Sequence, residues 1–331
     1  MHINDGLMDP LVALIGWVEF AVVLGAALFI LRKRIGEKDL PRVAVLSAGI
    51  FVAQMVNFPI GGGTTGHLIG GTLFAILVGP WLAIVGMTVI LVIQALLFGD
   101  GGITSLGLNG LNMAVIAPLT GWGLYSLLNQ AADRSREPED MRRAKAWTTV
   151  SVAAGAWASV FLAAAACAAE LSVSFAISGG AYGIAAPVSV PAMLGYHALI
   201  GVGEAAITVG VFTYVSNMAP EMLSARHVDR ARSACPRRFA LSTTVQASVA
   251  ILMVFALVLP LYFVYSSQGK DGLEKTMDNA QAQEGEPLLA SPFSYGENYF
   301  AALLMGIVGF VAVALLSLGL LRLLRTGQET E

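Results

Sequence analysis

Long apolar runs separated by short polar stretches dominate the chain. Such runs occupy residues 10–31, 43–60, 68–79, 81–98, 108–130, 147–176, 191–219, 240–264 and 299–324. A helix needs roughly 20 mostly apolar residues to cross a bilayer. The third run is short, and it is separated from the fourth only by Gly79-Pro80, because proline removes a backbone donor and kinks or ends a helix. The pattern predicts an all-α, polytopic integral membrane protein with about nine transmembrane helices. Composition agrees: hydrophobic residues make up 56% of the chain and charged residues 12%, with mean hydropathy +0.73. Soluble domains carry about 25% charged residues, so 331 residues here do not mean two soluble domains.

The placement of charge sets an expected topology. Seventeen of the 19 basic residues fall into four groups. Arg32, Lys33, Arg34, Lys38 and Arg42 follow the first run. Arg134, Arg136, Arg142, Arg143 and Lys145 fill a second loop, and Arg226, Arg230, Arg232, Arg237 and Arg238 a third. Arg322 and Arg325 lie at the end of the last run. The other two, Lys270 and Lys275, lie among Asp271, Glu274, Asp278, Glu284 and Glu286. Basic loops stay in the cytoplasm. Nine crossings with the N-terminus outside satisfy this for all four groups and place the acidic loop outside. The cell membrane of a prokaryote is the expected location. No basic segment precedes the first run, so a cleaved signal peptide is not expected. The expected organisation is a seven-span unit over 1–219, a basic cytoplasmic linker over 220–239, and a two-span hairpin over 240–331.

That topology brings three polar segments to the outer face: residues 1–9, 57–67 and 99–112. The inner two are rich in glycine and side-chain amides. Irregular backbone at membrane depth is tolerated only where it is buried in protein or lines a cavity. The outer half of the first unit is therefore the expected place for a site.

Four histidines are available: His2, His67, His197 and His227. His227 falls in a cytoplasmic loop; the other three fall in or near the outer half. Neutral imidazole is the commonest protein metal ligand. The Met1 amine, the His2 backbone nitrogen and His2 Nδ1 can close adjoining five- and six-membered chelate rings on one ion. His67 would complete a plane of four nitrogens. Such a plane suits Ni(II) or Cu(II) rather than zinc or magnesium. A frayed terminus would be the simpler account of His2 alone. His67 in a glycine-rich outer loop is what raises the chelate to an equal footing.

Met1-His2-Ile3-Asn4-Asp5-Gly6 resembles the opening of the cobalt and nickel M components of energy-coupling-factor transporters. Three further stretches resemble hallmarks of the same family: Asn57-Phe58-Pro59 with Gly62 to Leu68; Gly99-Asp100-Gly101-Gly102 with Asn109 and Asn112; and His197 to Ala205. The tail, Lys270-Asp271-Gly272-Leu273-Glu274, resembles the small N component, here fused to the M component. Asn4 and Lys270 replace prolines of the family pattern; neither is a proposed ligand. The resemblance implies that Met1, His2 and His67 are the metal ligands. Asn57, Asp100, Asn109, Asn112, His197 and Glu204 are candidates for residues that support them. His197 and Glu204 are seven apart and share a helix face, and a buried polar pair at a helix contact is the simpler reading of both. The tail leans toward nickel over cobalt and is expected to cover or complete the outer mouth of the site.

The resemblance further implies a capture subunit that does not power transport. A coupling (T) subunit and an ATPase pair would be separate chains, in keeping with the absence of a Gly-x-x-x-x-Gly-Lys-Ser/Thr loop. No resident cofactor is expected, only a transported ion, and no nucleic-acid partner. A zinc-protease or nucleophile-elbow motif is missing, so an enzyme is not expected. The rival reading is a self-sufficient divalent-metal permease, which would need a polar path across the whole bilayer. Cys167 and Cys235 imply neither a disulfide framework nor a zinc site.

Overall fold

The computed structural model describes residues 1–60, 64–134, 141–218, 241–267 and 269–326. The basic linker, Cys235, His227 and Gly62-Gly63 lie outside the described residues. Helix α1 (Pro10–Leu31) begins where the pattern places it. Asp9 caps it by accepting from the Leu11 amide, and Pro10 occupies the first turn, where its missing N–H costs nothing. Helix α2 (Asp39–Gln54) leads into a small antiparallel hairpin, β1 (Phe58–Ile60) and β2 (Thr64–Gly66). Helix α3 (Gly71–Val78) then runs for only 8 residues. Gly79, at φ +92°, and Pro80 end it and start α4 (Pro80–Ile93). The break expected at Gly79-Pro80 is thus present.

A π-helical turn (Gln94–Phe98) extends α4. Helix α5 (Leu106–Asn109), a π-helical stretch (Gly110–Ile116) and α6 (Ala117–Arg134) form the next crossing. Two long helices follow, α7 (Met141–Ile177) and α8 (Ala186–Met218), then α9 (Leu241–Tyr265), the short α10 (Gly272–Ala280) and α11 (Tyr299–Thr326). Seven helical stretches among the described residues are long and apolar enough to span a membrane. The two expected spans that fall short are α2, of 16 residues, and α3. At about 1.5 Å per residue, α3 reaches about 12 Å, less than half of a hydrocarbon core. It works because the loop before it already dips into the bundle. Charge parity is unaffected, since a hairpin of short helices either crosses twice or not at all.

Helix α4 is central, with 72% of its apolar window buried, and α9 is peripheral, with 11% buried. Helix α7 packs between α6 and α8, and α11 packs along α2 and α4. Five polar segments meet at one end of this bundle. The Gly183 amide donates to the Leu7 carbonyl, Thr65 to Lys270, Gly285 to Asp5 and Phe293 to Leu97. All the segments that charge placement assigned to one side therefore do lie together.

Candidate metal centre

The N-terminal arm is clamped from Ile3 onward and left open before it. Ile3 N–H donates to Asn109 Oδ1 at 2.8 Å, and the Ile3 carbonyl accepts from Asn109 Nδ2 at 2.9 Å and from the Gly102 amide at 2.8 Å. Asp5 continues the clamp: one carboxylate oxygen takes the Thr104 amide and hydroxyl, the other the Leu288 amide. Burial alone would raise the Asp5 pKa; the Thr104 and Leu288 hydrogen bonds outweigh it and lower the pKa below the ordinary value. Among the described residues the His2 backbone N–H has no acceptor.

The terminal amine of Met1 lies 3.0 Å from His67 Nε2 and 2.6 Å from Asp271 Oδ2. The His2 and His67 rings stack with centroids 5.1 Å apart. Metal–nitrogen bonds of about 2.0–2.1 Å place two adjacent ligands at a right angle about 2.9 Å apart. The separation of the amine from Nε2 therefore already matches two neighbouring corners of one coordination plane.

Each ring has its other nitrogen fixed. His67 Nδ1 faces the Leu68 carbonyl at 3.1 Å, so Nδ1 carries the proton and Nε2 turns its lone pair to the amine. His2 is set by a relay of two amides. Gln54 Nε2 donates to the Ile69 carbonyl, Gln94 Nε2 donates to Gln54 Oε1, and Gln94 Oε1 accepts from His2 Nε2 at 3.2 Å. The relay holds His2 through Nε2, and His2 Nδ1 lies 3.0 Å from the Asp100 carboxylate. A ring nitrogen and a carboxylate oxygen this close share a proton, and a metal cation can take that proton's place. Asp100 is held in turn by the Tyr295 hydroxyl at 2.7 Å. Fixing a ligand's orientation through its far nitrogen is how outer groups tune metal-binding histidines.

The electrostatics favour neutral rings. Burial, then the Met1 ammonium and His2, lower the His67 pKa to about 3. Burial also lowers the His2 pKa, with Asp100 pulling the other way. For Asp271 burial works to raise the pKa, but the Met1 ammonium and His67 overcome it and hold the carboxyl well below the usual range.

The remaining candidates sort by what they touch. Glu204 accepts the Ile69 and Gly70 amides at 2.7 and 2.8 Å and so pins the loop after His67. His197 lines a small cavity with Met1, His67 and Asp271. Asn112 points elsewhere, donating to Glu170 at 2.7 Å. Asn57 has no hydrogen bond to the cluster among the described residues; it leads into β1. Sequence reading missed Gln54 and Gln94, which sit inside apolar runs with no motif around them. It also missed the direct contact of Asp271, although the Asp-x-x-Glu spacing that caps α10 was visible in the tail motif.

The model for the "cobalt uptake substrate-specific transmembrane region" matches residues 2–222. A candidate fused nickel transport protein, NikMN, of Archaeoglobus fulgidus is 34% identical over 339 residues, covering 98% of this chain and all of that protein. A candidate metal transport protein of Haloquadratum walsbyi is 41% identical over 225 residues, covering 67% of this chain and 93% of that protein. A solved chain described as a transition metal transporter is 35% identical, superposes with a TM-score of 0.58, and is covered completely by 70% of this chain. The relatives are transporters, not enzymes. With two thirds of its length matched by that model, the chain belongs to the cobalt uptake substrate-specific transmembrane family.

Proposed function

We propose that this chain is the capture subunit of an ATP-driven energy-coupling-factor uptake transporter for Ni(II) or Co(II). Met1 and His2 form the chelate and His67 completes it. The carrying observation is the 3.0 Å approach of the free terminal amine to His67 Nε2 inside a buried site. The unengaged His2 amide, the relay that holds the His2 ring through Nε2, and the two carboxylates that flank the nitrogens support the same reading. Four nitrogens in a plane suit nickel, and the relative that spans this whole chain carries a nickel name. Asp271 and Asp100 balance the charge of the ion. Residues 1–219 form the capture unit, and the two-span tail from residue 240 closes its outer mouth through Asp271. The N-terminus and residues 265–298 face outward, the basic loops inward, where a coupling subunit and ATPases dock. The permease rival finds less support, because the hydrogen-bonded ionisable groups gather at one end of the bundle.

The test is Ni(II) titration of detergent-purified protein, read by calorimetry and by the absorbance of planar nickel. A C-terminally tagged chain is compared with one extended before Met1. Extension destroys the chelate register, and His2→Ala removes Nδ1, so both lose tight binding. His67→Ala leaves three nitrogens and weakens binding severely. Equal affinity of the extended and native chains would refute the chelate.

A further inference from the structure

Two buried histidines share one arrangement, and only one of them, His67, belongs to the capture set. His197 Nδ1 lies 2.8 Å from the Met193 carbonyl one helical turn earlier, so that nitrogen carries the proton. The lone pair is therefore on Nε2, which has no hydrogen-bond partner among the described residues. Backbone-fixed protonation of one nitrogen with the other left bare is what His67 also shows, and it is the usual preparation of a metal-binding imidazole. His197 itself is 2% exposed.

His197 lines a cavity of about 10 Å³ together with Met1, His67 and Asp271. That is about the volume of one water-sized sphere, enough for a single ion. His2 does not line it. Val160 and Ile200, from the middle of α7 and α8, do. The cavity therefore lies on the bundle side of the capture set, between the chelate and the helix core. Gly272 packs against another part of the His197 ring: a Cβ there would meet His197 Cε1.

Building on the capture reading, we propose that His197 Nε2 belongs to a second, inner coordination set for the same divalent transition ion. In it His197 Nε2 and the Asp271 carboxylate replace the two nitrogens of His2, while the Met1 amine and His67 Nε2 are kept. Among the described residues no three such side chains already close on one point. The set forms when Asp271 turns from the amine, which no longer opposes it as an ammonium once the amine holds the ion. The inner set lacks the rigid double chelate ring, so it holds the ion less tightly and lets it leave the N-terminal arm toward the core.

The experiment uses full-length detergent-purified protein with a native N-terminus, and Ni(II) or Co(II) alone as probe. His197→Leu and His197→Gln are expected to keep planar-nickel absorbance and affinity within about threefold. Glutamine can still donate to the Met193 carbonyl, so it controls for packing. His2→Ala loses the planar absorbance but retains a weaker site. Adding His197→Leu to His2→Ala weakens that residual site by about tenfold or more, the range of a lost metal-site contact. A residual site that is missing in His2→Ala, or unmoved by the second substitution, overturns the inference. Loss of the planar site in both single His197 variants also overturns it, since His197 would then serve the capture set. Planar absorbance and full affinity surviving in His2→Ala would refute the capture reading, and the inner set with it; that outcome is distinct from the others.

Discussion

His67 is buried with its ring held neutral, and that has a consequence for stability. Its pKa, about 3 in the folded chain, lies below the ordinary value of 6.5. The unfolded chain therefore binds a proton that the folded chain refuses. The stability this contributes is complete above pH 6.5 and is lost as the pH falls from 6.5 toward 3. Asp271, also depressed, adds stability above its ordinary 3.8 that is lost on further acidification. Metal-free protein should unfold at lower temperature at pH 5 than at pH 7.5, by up to about 1.4 kcal/mol per pH unit for each proton. His67→Asn should flatten that dependence, as thermal unfolding in detergent would show. Gln94 is the other decisive single residue, because its carbonyl holds the His2 ring through Nε2. Gln94→Leu should lower nickel affinity about 10–100-fold while leaving Met1, His2 and His67 in place. Unchanged affinity by calorimetry would remove the relay from the site.

At the scale of elements, α10 joins the tail to the N-terminal arm through one side chain with two duties. Asp271 Oδ1 caps α10 by accepting the Leu273 and Glu274 amides, and Glu274 returns a bond to the Asp271 amide. Its Oδ2 faces the Met1 ammonium. Asparagine preserves the cap and removes the charge. Asp271→Asn should therefore keep α10 and cost the metal-free protein about 2–5 kcal/mol, the range for breaking a buried ion pair. Asp271→Ala should cost about 1 kcal/mol more, through the lost cap. Equal unfolding temperatures for Asp271→Asn and the native chain would show that the ammonium contact contributes nothing. The rest of the tail loop lies across the N-terminal arm. Gly6, at φ +75°, and Gly285 meet backbone to backbone, and a side chain at Gly6 would be both strained and obstructed. At the opposite end of the bundle the Arg42 guanidinium donates to the Leu77 carbonyl near the end of α3. That contact satisfies a carbonyl the short helix leaves open.

For the whole molecule the testable quantity is sidedness. Residues 1–9, 64–70, 99–105, 178–184 and 269–298 gather at one end, with the basic groups after α1 and at the end of α11 at the other, where Arg325 pairs with Glu37. Cysteines placed at the exposed positions Gln283 and Ser294, in a chain lacking Cys167 and Cys235, should react with an impermeant thiol reagent in intact cells. One at exposed Lys38 should not. Labelling at Lys38 without permeabilisation would invert the topology. ATP-driven uptake should also require further subunits, and liposomes holding this chain alone should not accumulate nickel against a gradient.

The membrane architecture was legible in the sequence because bilayer solvation acts locally. An apolar run of sufficient length and a cluster of arginines state their own environment. That Met1, His2 and His67 come together was legible as well, because the motifs around them are dense; the structure brings the Met1 amine to His67 and stacks the His2 and His67 rings. Asp100 and Asn109 were legible as neighbours of the site but not in their duties. Only the tertiary structure decided that Gln54 and Gln94 hold the His2 ring from inside two apolar helices. The same is true of Asp271, which reaches Met1 across 270 positions. It also decided that Asn112 turns to Glu170 and that α2 and α3 are too short to count as full spans. These depend on which buried groups happen to face one another. A buried donor must find its acceptor wherever packing places it, and no spacing along the chain records that choice.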